Sequence, residues 1–201
     1  MYLDVATTSV LDVYQALVGI VTPRPIAWIT TIDKEGRVNL APFSFFNTFG
    51  SNPPVVVFST SNKRALSKKD TLLNLEEVPE FVINSSVLSL ADVVNRSAKE
   101  LPRYESEADM LGLELIPSNK VRPPRVKASP AHMEGRVMQV ISVGDGPMSG
   151  NLVIGEILAF HIDDRVIGAD GKVDPAKLQT IGRMGGNWYC KTNELFEMPR
   201  P

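Results

Sequence analysis

The chain of 201 residues is long enough to bury a full hydrophobic core and fits a single domain over residues 1–201. Its composition, with 43% hydrophobic and 22% charged residues, is typical of a globular protein and excludes a mainly disordered chain. The 21 Lys and Arg residues nearly balance the 23 Asp and Glu residues and form no basic stripe, so we expect no nucleic-acid binding.

The sequence also argues against a membrane-bound, secreted or metal-dependent protein. No apolar run approaches the roughly 20 residues that cross a bilayer, and the N-terminal segment MYLDVATTSV lacks the basic and apolar regions of a signal peptide. Cys190 is the single cysteine, which excludes a disulfide framework and a cysteine-rich zinc site. We therefore expect a cytoplasmic protein that binds neither a membrane nor a metal.

In the first half of the chain, β-rich segments alternate with short helices. A helix is predicted over residues 9–18, whose apolar residues recur with the spacing of one helical face. Residues 26–32 (IAWITTI) read as a strand that ends in a turn at 33–36, and residues 37–46 form the returning strand, interrupted by Pro42. The continuous apolar run 55–59 (VVVFS) predicts a buried strand, and a helix is expected over 68–77.

The second half continues the same pattern. In chain order we predict a strand over 80–85, a helix over 89–98 opened by a capping box at Ser89, a helix over 105–111 that ends at Gly112, and a hairpin of strands 132–143 and 152–163. The proline-rich stretch 117–130 is interpreted as a loop that wraps between strands. Taken together, the elements predict a mainly β protein, an antiparallel barrel with peripheral helices.

The common catalytic and nucleotide-binding motifs are absent from the sequence. The glycines at 144, 146 and 150 have one residue too many for the dinucleotide fingerprint, and a strand follows them instead of a helix. There is no phosphate-binding P-loop and no GxSxG motif, and the two histidines, His132 and His161, lie in predicted strands without a zinc-ligand spacing. These absences exclude the Rossmann and P-loop classes and leave covalent catalysis without support.

What remains is a dense polar constellation between apolar strands. Residues 39–47 (NLAPFSFFN) offer apolar faces and hydrogen-bonding edges, as a flat heteroaromatic ligand requires. Residues 59–64 add hydroxyls and cations after a buried strand, and residues 69–71 open a helix whose free N–H groups favour an anion. The alternative is that the aromatic residues are core and the polar ones are surface turns.

Six segments occur in the order seen in flavin reductase-like proteins, and the resemblance covers about residues 15–192. They are PRPIAWITTID.EGRVNLAPFSFFN, NPPVVVFSTSN, KKDTLLNLEEVPEFVIN, RPPRV..SPAHMEGRV, LVIGEILAFHIDD and IGRMGGNWY. The chain resembles this FMN-binding split β-barrel family, which includes flavoredoxin and the reductase components of two-component monooxygenases. The resemblance implies an antiparallel split barrel and a homodimer with one FMN per subunit near the dimer interface.

Carried over by position, the resemblance assigns most of the FMN site to strand ends. Thr30 and Thr31 would end a strand beside the flavin. The ring edge would be lined by Asn39, Ala41, Pro42, Phe43 and Ser44, with Asn47 nearby. The ribityl chain would be followed by Ser59, Thr60, Ser61 and Asn62. The candidates for binding the phosphate are Lys63, Arg64, Lys69 and Thr71. Which of the basic residues reaches the phosphate stays open.

The resemblance also places His161 and Arg183 toward the open face of the flavin, as catalytic candidates that position a hydride donor or stabilise reduced flavin. A hydrogen-bonded structural histidine and a surface arginine are equally compatible with the sequence. The implied function is NAD(P)H-dependent flavin reduction, with electrons passed on to an acceptor such as an oxygenase or another redox partner. The alternatives are a flavoredoxin-like electron-transfer protein and a non-enzymatic FMN-binding module.

Overall fold

The structure, a computed structural model, describes residues 1–63 and 67–199. These residues include twelve strands and five α-helices. The strands are β1 (Arg24–Pro25), β2 (Ala27–Ile32), β3 (Val38–Phe43), β4 (Phe46–Ser51), β5 (Pro54–Ser61), β6 (Glu80–Ser85), β7 (Leu115–Ile116), β8 (Arg125–Val126), β9 (Ala131–Val143), β10 (Gly150–Ile162), β11 (Ile181–Arg183) and β12 (Tyr189–Lys191). The helices are α1 (Val10–Ile20), α2 (Asp70–Glu77), α3 (Ala91–Arg96), α4 (Glu107–Met110) and α5 (Pro175–Leu178).

Seven strands pair in one antiparallel sheet in the order β3-β2-β6-β9-β10-β5-β4. The strands β3 and β4 are neighbours along the chain but occupy the two ends of this order, so the sheet is a barrel that is split between them. Two small sheets, β1-β11-β12 and β7-β8, lie beside it. This topology confirms the predicted mainly β, antiparallel split barrel with peripheral helices.

The core of the curled sheet is aromatic. Phe58 and Phe81 are fully buried with their ring centroids 5.4 Å apart in an edge-on arrangement, which is a favourable geometry for aromatic pairs. A Cβ atom at Gly135 would lie 2.4 Å from the Phe81 ring, and one at Gly155 would lie 2.5 Å from it. Both positions therefore require glycine, and the β9–β10 register shifts immediately before Gly155.

The helices differ from the sequence prediction mainly at their ends. The helix α1 begins after Ser9, whose hydroxyl accepts a hydrogen bond from the backbone N–H of Asp12, and it continues to Ile20. The predicted capping box at Ser89 is wrong, because a 3₁₀ turn occupies Leu88–Leu90 and α3 starts only at Ala91 without a side-chain cap. The helix predicted over 105–111 is a single turn, α4.

The strand predicted over 37–46 is also shorter than expected. It ends at Phe43, and after a bend at residues 44–45 the chain enters β4. Pro42 lies within β3 opposite Trp28. Since β3 is an edge strand, the missing N–H of proline does not interrupt a continuing ladder.

The apolar face predicted for the first helix is real but mostly uncovered. Val18 alone is buried among the residues of α1, whereas Val10, Leu11 and Leu17 are exposed. None of the described helices is long and apolar enough to span a membrane.

Candidate functional site

A cavity of about 110 Å³ lies between β3, the start of α2, the segment 97–101 and α4. We call it the basic cavity. Seven residues predicted from the sequence line it: Asn39, Ala41, Pro42, Phe43, Lys63, Lys69 and Thr71. The other described lining residues are Asp70, Ser97, Ala98, Lys99, Glu100, Leu101 and Glu107. Side chains distant in sequence thus meet where the free edge of β3 faces the helices.

Lys69 is a partly buried cation of this cavity and forms no salt bridge with the described residues. Burial lowers the pKa of Lys69; the nearby carboxylate of Glu100 raises it, and the charge of Lys63 lowers it further. Its ammonium lies 5.6 Å from the centroid of the Phe43 ring. Lys63, by contrast, is 3.9 Å from the carboxylate of Asp70. A partly buried ammonium without a close counter-ion among the described residues is suited to an anionic ligand.

A polar chain of three side chains forms another part of the cavity wall. The Thr71 hydroxyl donates to Asn39 Oδ1 at 2.6 Å, and Asn39 Nδ2 donates to the two carboxylate oxygens of Glu107 at 3.1 and 3.0 Å. Glu107 also accepts the backbone N–H of Leu40 at 2.9 Å. Burial raises the pKa of the Glu107 carboxyl, although the hydrogen bonds from Leu40 and Asn39 oppose that shift. The sequence did not identify Glu107, which no local motif connects with Asn39.

The segment 97–101, another wall of the basic cavity, is anchored to the core through Trp28. The fully buried indole donates from Nε1 to the Ser97 hydroxyl at 2.8 Å, and that hydroxyl donates to the carbonyl of Val94 at 2.8 Å. Because Trp28 belongs to β2, the main sheet fixes the point from which the segment runs along the cavity. No local feature of the sequence predicts this contact.

A second cavity, about 620 Å³ in volume, opens on the other side of the bend after Phe43. We call it the apolar hollow. Three predicted residues, Ser44, Asn47 and Ser59, line it together with apolar side chains that include Leu17, Val21, Phe45, Phe49 and Val143.

Arg24 supports this side of the site, although no sequence motif assigned it a role. It is buried, and its guanidinium donates to the carbonyls of Val18 at 2.8 Å, Val21 at 2.9 Å and Met184 at 3.1 Å. A fourth bond reaches the Ser44 hydroxyl at 3.3 Å. Arg24 therefore ties the end of α1 and the C-terminal part of the chain to the bend that separates the two cavities.

Two predicted threonines are core residues of β2. Thr30 and Thr31 are fully buried; the hydroxyl of Thr30 accepts from Asn84 Nδ2 at 2.8 Å, and that of Thr31 accepts from Asn74 Nδ2 at 3.2 Å. Neither residue lines the two cavities, so the structure places them behind the site.

The remaining predicted residues lie at the end of β5. The Thr60 hydroxyl is buried and has no hydrogen-bond partner among the described residues. Ser61 pairs with Gly150 of β10, and Asn62 Oδ1 accepts from Asn151 Nδ2 at 3.0 Å. Arg64 lies outside the described residues.

The two catalytic candidates lie outside both cavities. His161 Nε2 is 2.5 Å from the fully buried carboxylate of Glu134, which also accepts the backbone N–H groups of Asn119 at 2.8 Å and Lys120 at 2.5 Å. Arg183 donates to the carbonyl of Gly186 at 2.6 Å and lies 4.5 Å from the centroid of the Tyr189 ring. The first contact matches the structural alternative considered for this histidine. Catalytic roles for both residues stay a prediction.

Comparisons with known proteins connect this arrangement to one family. A family model described as a flavin reductase like domain matches residues 20–176. An uncharacterized protein of Deinococcus radiodurans is 39% identical over 194 residues, which cover 93% of this chain and 84% of that protein.

Two crystal structures share both the fold and at least 30% of the sequence. Nitrilotriacetate monooxygenase component B from Bacillus cereus superposes with a TM-score of 0.92 at 33% identity and covers 98% of each chain. The 2-nitrobenzoate 2-nitroreductase NbaA from Pseudomonas fluorescens superposes with a TM-score of 0.88 at 30% identity, with 100% of this chain and 96% of that chain covered.

The Glu134 contacts predict how acid affects the stability of the fold. Burial alone would raise the pKa of Glu134, but hydrogen bonds from Asn119, Lys120 and His161 outweigh it and hold the pKa below its usual value. A carboxyl with a lowered folded-state pKa stabilises the fold above its unfolded pKa of about 4.3, and this stabilisation is lost as the pH falls through the folded value. We expect Glu134→Gln to make the free energy of unfolding less dependent on pH in this acidic range.

The same substitution should lower the free energy of unfolding at neutral pH by about 1–3 kcal/mol, because an amide leaves buried donors unpaired. Urea unfolding at a series of pH values measures both effects. Glu114→Gln, which removes an exposed carboxylate paired with Lys127, is the matched control. If the free energy of unfolding falls equally steeply with acid in the Glu134→Gln variant and in the unmodified protein, Glu134 does not have a lowered pKa in the folded state.

Proposed function

Since the chain belongs to the flavin reductase-like family, we propose that it is an FMN-binding oxidoreductase that takes a hydride from NAD(P)H and passes electrons to an acceptor. The observation that carries the proposal is the basic cavity, in which Lys69 is partly buried without a close counter-ion in the described part of the chain. Bound FMN supplies the redox chemistry through its isoalloxazine ring.

The residues present fit the phosphate end of FMN. Lys63 and Lys69 provide two cations, and the first turn of α2 provides backbone N–H groups with a partial positive charge. A volume of about 110 Å³ is well below the roughly 300 Å³ of small ligand pockets. The basic cavity therefore suits the phosphate and adjoining chain, and we assign the ring edge to the neighbouring stretch 41–44.

That stretch joins the two cavities, because Phe43 lines the basic cavity and Ser44 lines the apolar hollow. A planar ring placed here has apolar side chains on one side and the backbone groups of an edge strand beside it. Such backbone N–H groups can stabilise negative charge on a reduced ring without a titrating side chain.

The names of two related structures support a redox acceptor for this chain. One similar protein is named as component B of a monooxygenase and another as a nitroreductase. We propose that this chain delivers electrons either to an oxygenase or directly to an organic acceptor. A flavoredoxin-like carrier, or a module that only binds FMN, is the alternative.

The phosphate assignment predicts that Lys69→Ala weakens FMN binding about 10- to 100-fold, the value of a lost charge-assisted hydrogen bond. Riboflavin, which lacks the phosphate, should bind the variant as it binds the unmodified protein. Fluorescence titration of apoprotein with both ligands measures the difference. Lys68→Ala is the control, since Lys68 is exposed and pairs with Glu76 outside the cavity. Equal losses for FMN and riboflavin would remove Lys69 from the phosphate site.

The reductase proposal predicts that NADH or NADPH bleaches the visible absorbance of bound FMN under anaerobic conditions, because the nucleotide donates a hydride to the ring. Stopped-flow mixing with each nucleotide measures the rate. No bleaching with either one would leave the electron-carrier or binding-module alternative. His161→Gln and Arg183→Gln test the catalytic assignments: slower bleaching at unchanged FMN affinity supports them, and an unchanged rate assigns a structural role.

We further propose a homodimer in which α1 and the apolar hollow face the partner. Leu17 of α1 is about half exposed, and it lines the hollow together with the exposed Val21, Phe45, Phe49 and Val143. A continuous apolar surface of this kind is uncommon on a monomer and is typical of a protein interface. It also lies next to Ser44, beside the proposed flavin ring.

Leu17→Asp should therefore shift the protein from dimer to monomer, because it places a charge in an apolar contact. Sedimentation velocity at several concentrations measures the change. Gln15→Asp adds the same charge to an exposed polar position of α1 and should leave the dimer intact. A monomeric unmodified protein would contradict the proposal.

A further inference from the structure

The direction of the hydrogen bonds in the wall of the basic cavity is determined by Glu107. Both oxygens of Glu107 accept from Asn39 Nδ2, and one of them also accepts the backbone N–H of Leu40, so the Asn39 side chain turns its Nδ2 group toward Glu107 and its Oδ1 atom toward Thr71. The Thr71 hydroxyl must then donate to Asn39. One buried acid thus orients two side chains that line the cavity.

This orientation leaves the wall with acceptors and without side-chain donors. The donors of Asn39 point to Glu107, and the hydroxyl proton of Thr71 points to Asn39. Their oxygens, and the carboxylate of Glu107, keep unused lone pairs. Lys63 and Lys69 supply the donors elsewhere in the same cavity. The cavity is therefore divided into a cationic part and an acceptor wall.

The two parts match two chemical groups of one ligand. An ammonium binds a phosphate, whereas an acceptor wall binds a group that donates, such as a hydroxyl, and repels a phosphate oxygen. We propose that Glu107 is a positioning residue that keeps this wall an acceptor for ribityl hydroxyls and leaves the phosphate to the lysines. The inference rests on the proposed FMN site and changes the role predicted for Thr71 from phosphate donor to hydroxyl acceptor.

Glu107→Gln is the substitution that tests this role, because it keeps the shape and reverses the hydrogen-bond direction. An introduced amide that accepts from Leu40 with its oxygen turns its N–H donors to Asn39, which then presents Oδ1 to that amide and Nδ2 to Thr71. The Thr71 proton becomes free to face the ligand. The wall would change from acceptor to donor without a change in volume.

Three flavins separate the contributions. Lumiflavin has the ring alone, riboflavin adds the ribityl hydroxyls, and FMN adds the phosphate. Dissociation constants are measured by fluorescence titration in the same buffer for every protein and flavin. We expect Glu107→Gln to reduce the gain in affinity from lumiflavin to riboflavin by about 3- to 10-fold, the value of one or two neutral hydrogen bonds. The gain from riboflavin to FMN should not decrease.

Two controls separate positioning from other effects. Asp109→Asn removes the same charge from an exposed position of α4 and should change none of the three affinities. Thr71→Val removes the hydroxyl without touching Glu107 and should reduce the same lumiflavin-to-riboflavin gain. In the Thr71→Val background, the effect of Glu107→Gln on that gain should shrink. The single Thr71→Val variant keeps the proposal testable if Glu107→Gln does not fold.

Parallel weakening of all three flavins by Glu107→Gln would show that the residue supports only the fold, and would overturn the proposal. A change confined to the riboflavin-to-FMN gain would show that Glu107 acts through its charge on the phosphate, with the same consequence. If the unmodified protein binds none of the three flavins, it is the proposed function that fails. If it binds FMN and the variants leave the hydroxyl gain unchanged, only the role of Glu107 fails.

Discussion

The shape of the main sheet depends on the contact between the Phe81 ring and two neighbouring strands. Each of these strands has a glycine where it passes over the ring. Gly135 of β9 and Gly155 of β10 leave no room for a Cβ atom above the ring. The β9–β10 ladder changes register immediately before Gly155, and such an irregularity bends a strand pair and increases its twist. The sheet can therefore curl around Phe58 and Phe81, and it ends in two free edges, β3 and β4.

The candidate site is a consequence of the free edge at β3. An edge strand has backbone groups that no neighbouring strand satisfies, and a folded protein must cover or pair them. Glu107 does so for the N–H group of Leu40, while the segments that carry Lys69 and Ser97 close over the same edge. The carboxylate that pairs the edge also borders the basic cavity. The contacts that cover the free edge of β3 are thus the same contacts that form the candidate site.

Features formed by residues close together in the sequence could be predicted, whereas contacts between residues far apart in the sequence could not. The buried run of β5 and the cations after it are local features, and so the strand, Lys63 and Lys69 could be located in advance. The contact of Trp28 with Ser97 joins residues 69 positions apart, and that of Asn39 with Glu107 spans 68 positions. No periodicity or motif encodes such pairs, because they depend on how helices cross the sheet edge. The uncovered face of α1 has a related cause, since its apolar spacing predicts a buried face but does not reveal whether the covering surface comes from the same chain.

The basic cavity has no excess of positively charged residues, and its cations are available because most of its acids bind other groups. Three lysines and three carboxylates line the described part, Lys63, Lys69 and Lys99 against Asp70, Glu100 and Glu107, so the formal charges cancel. Two of the acids have other partners: Arg103 lies 3.2 Å from Asp70, and Asn39 with Leu40 satisfies Glu107. Lys69 is left partly buried with a lowered pKa, which costs stability in the free protein. An anionic ligand would offset that cost, so the lysine that weakens the free protein would strengthen the proposed binding of FMN.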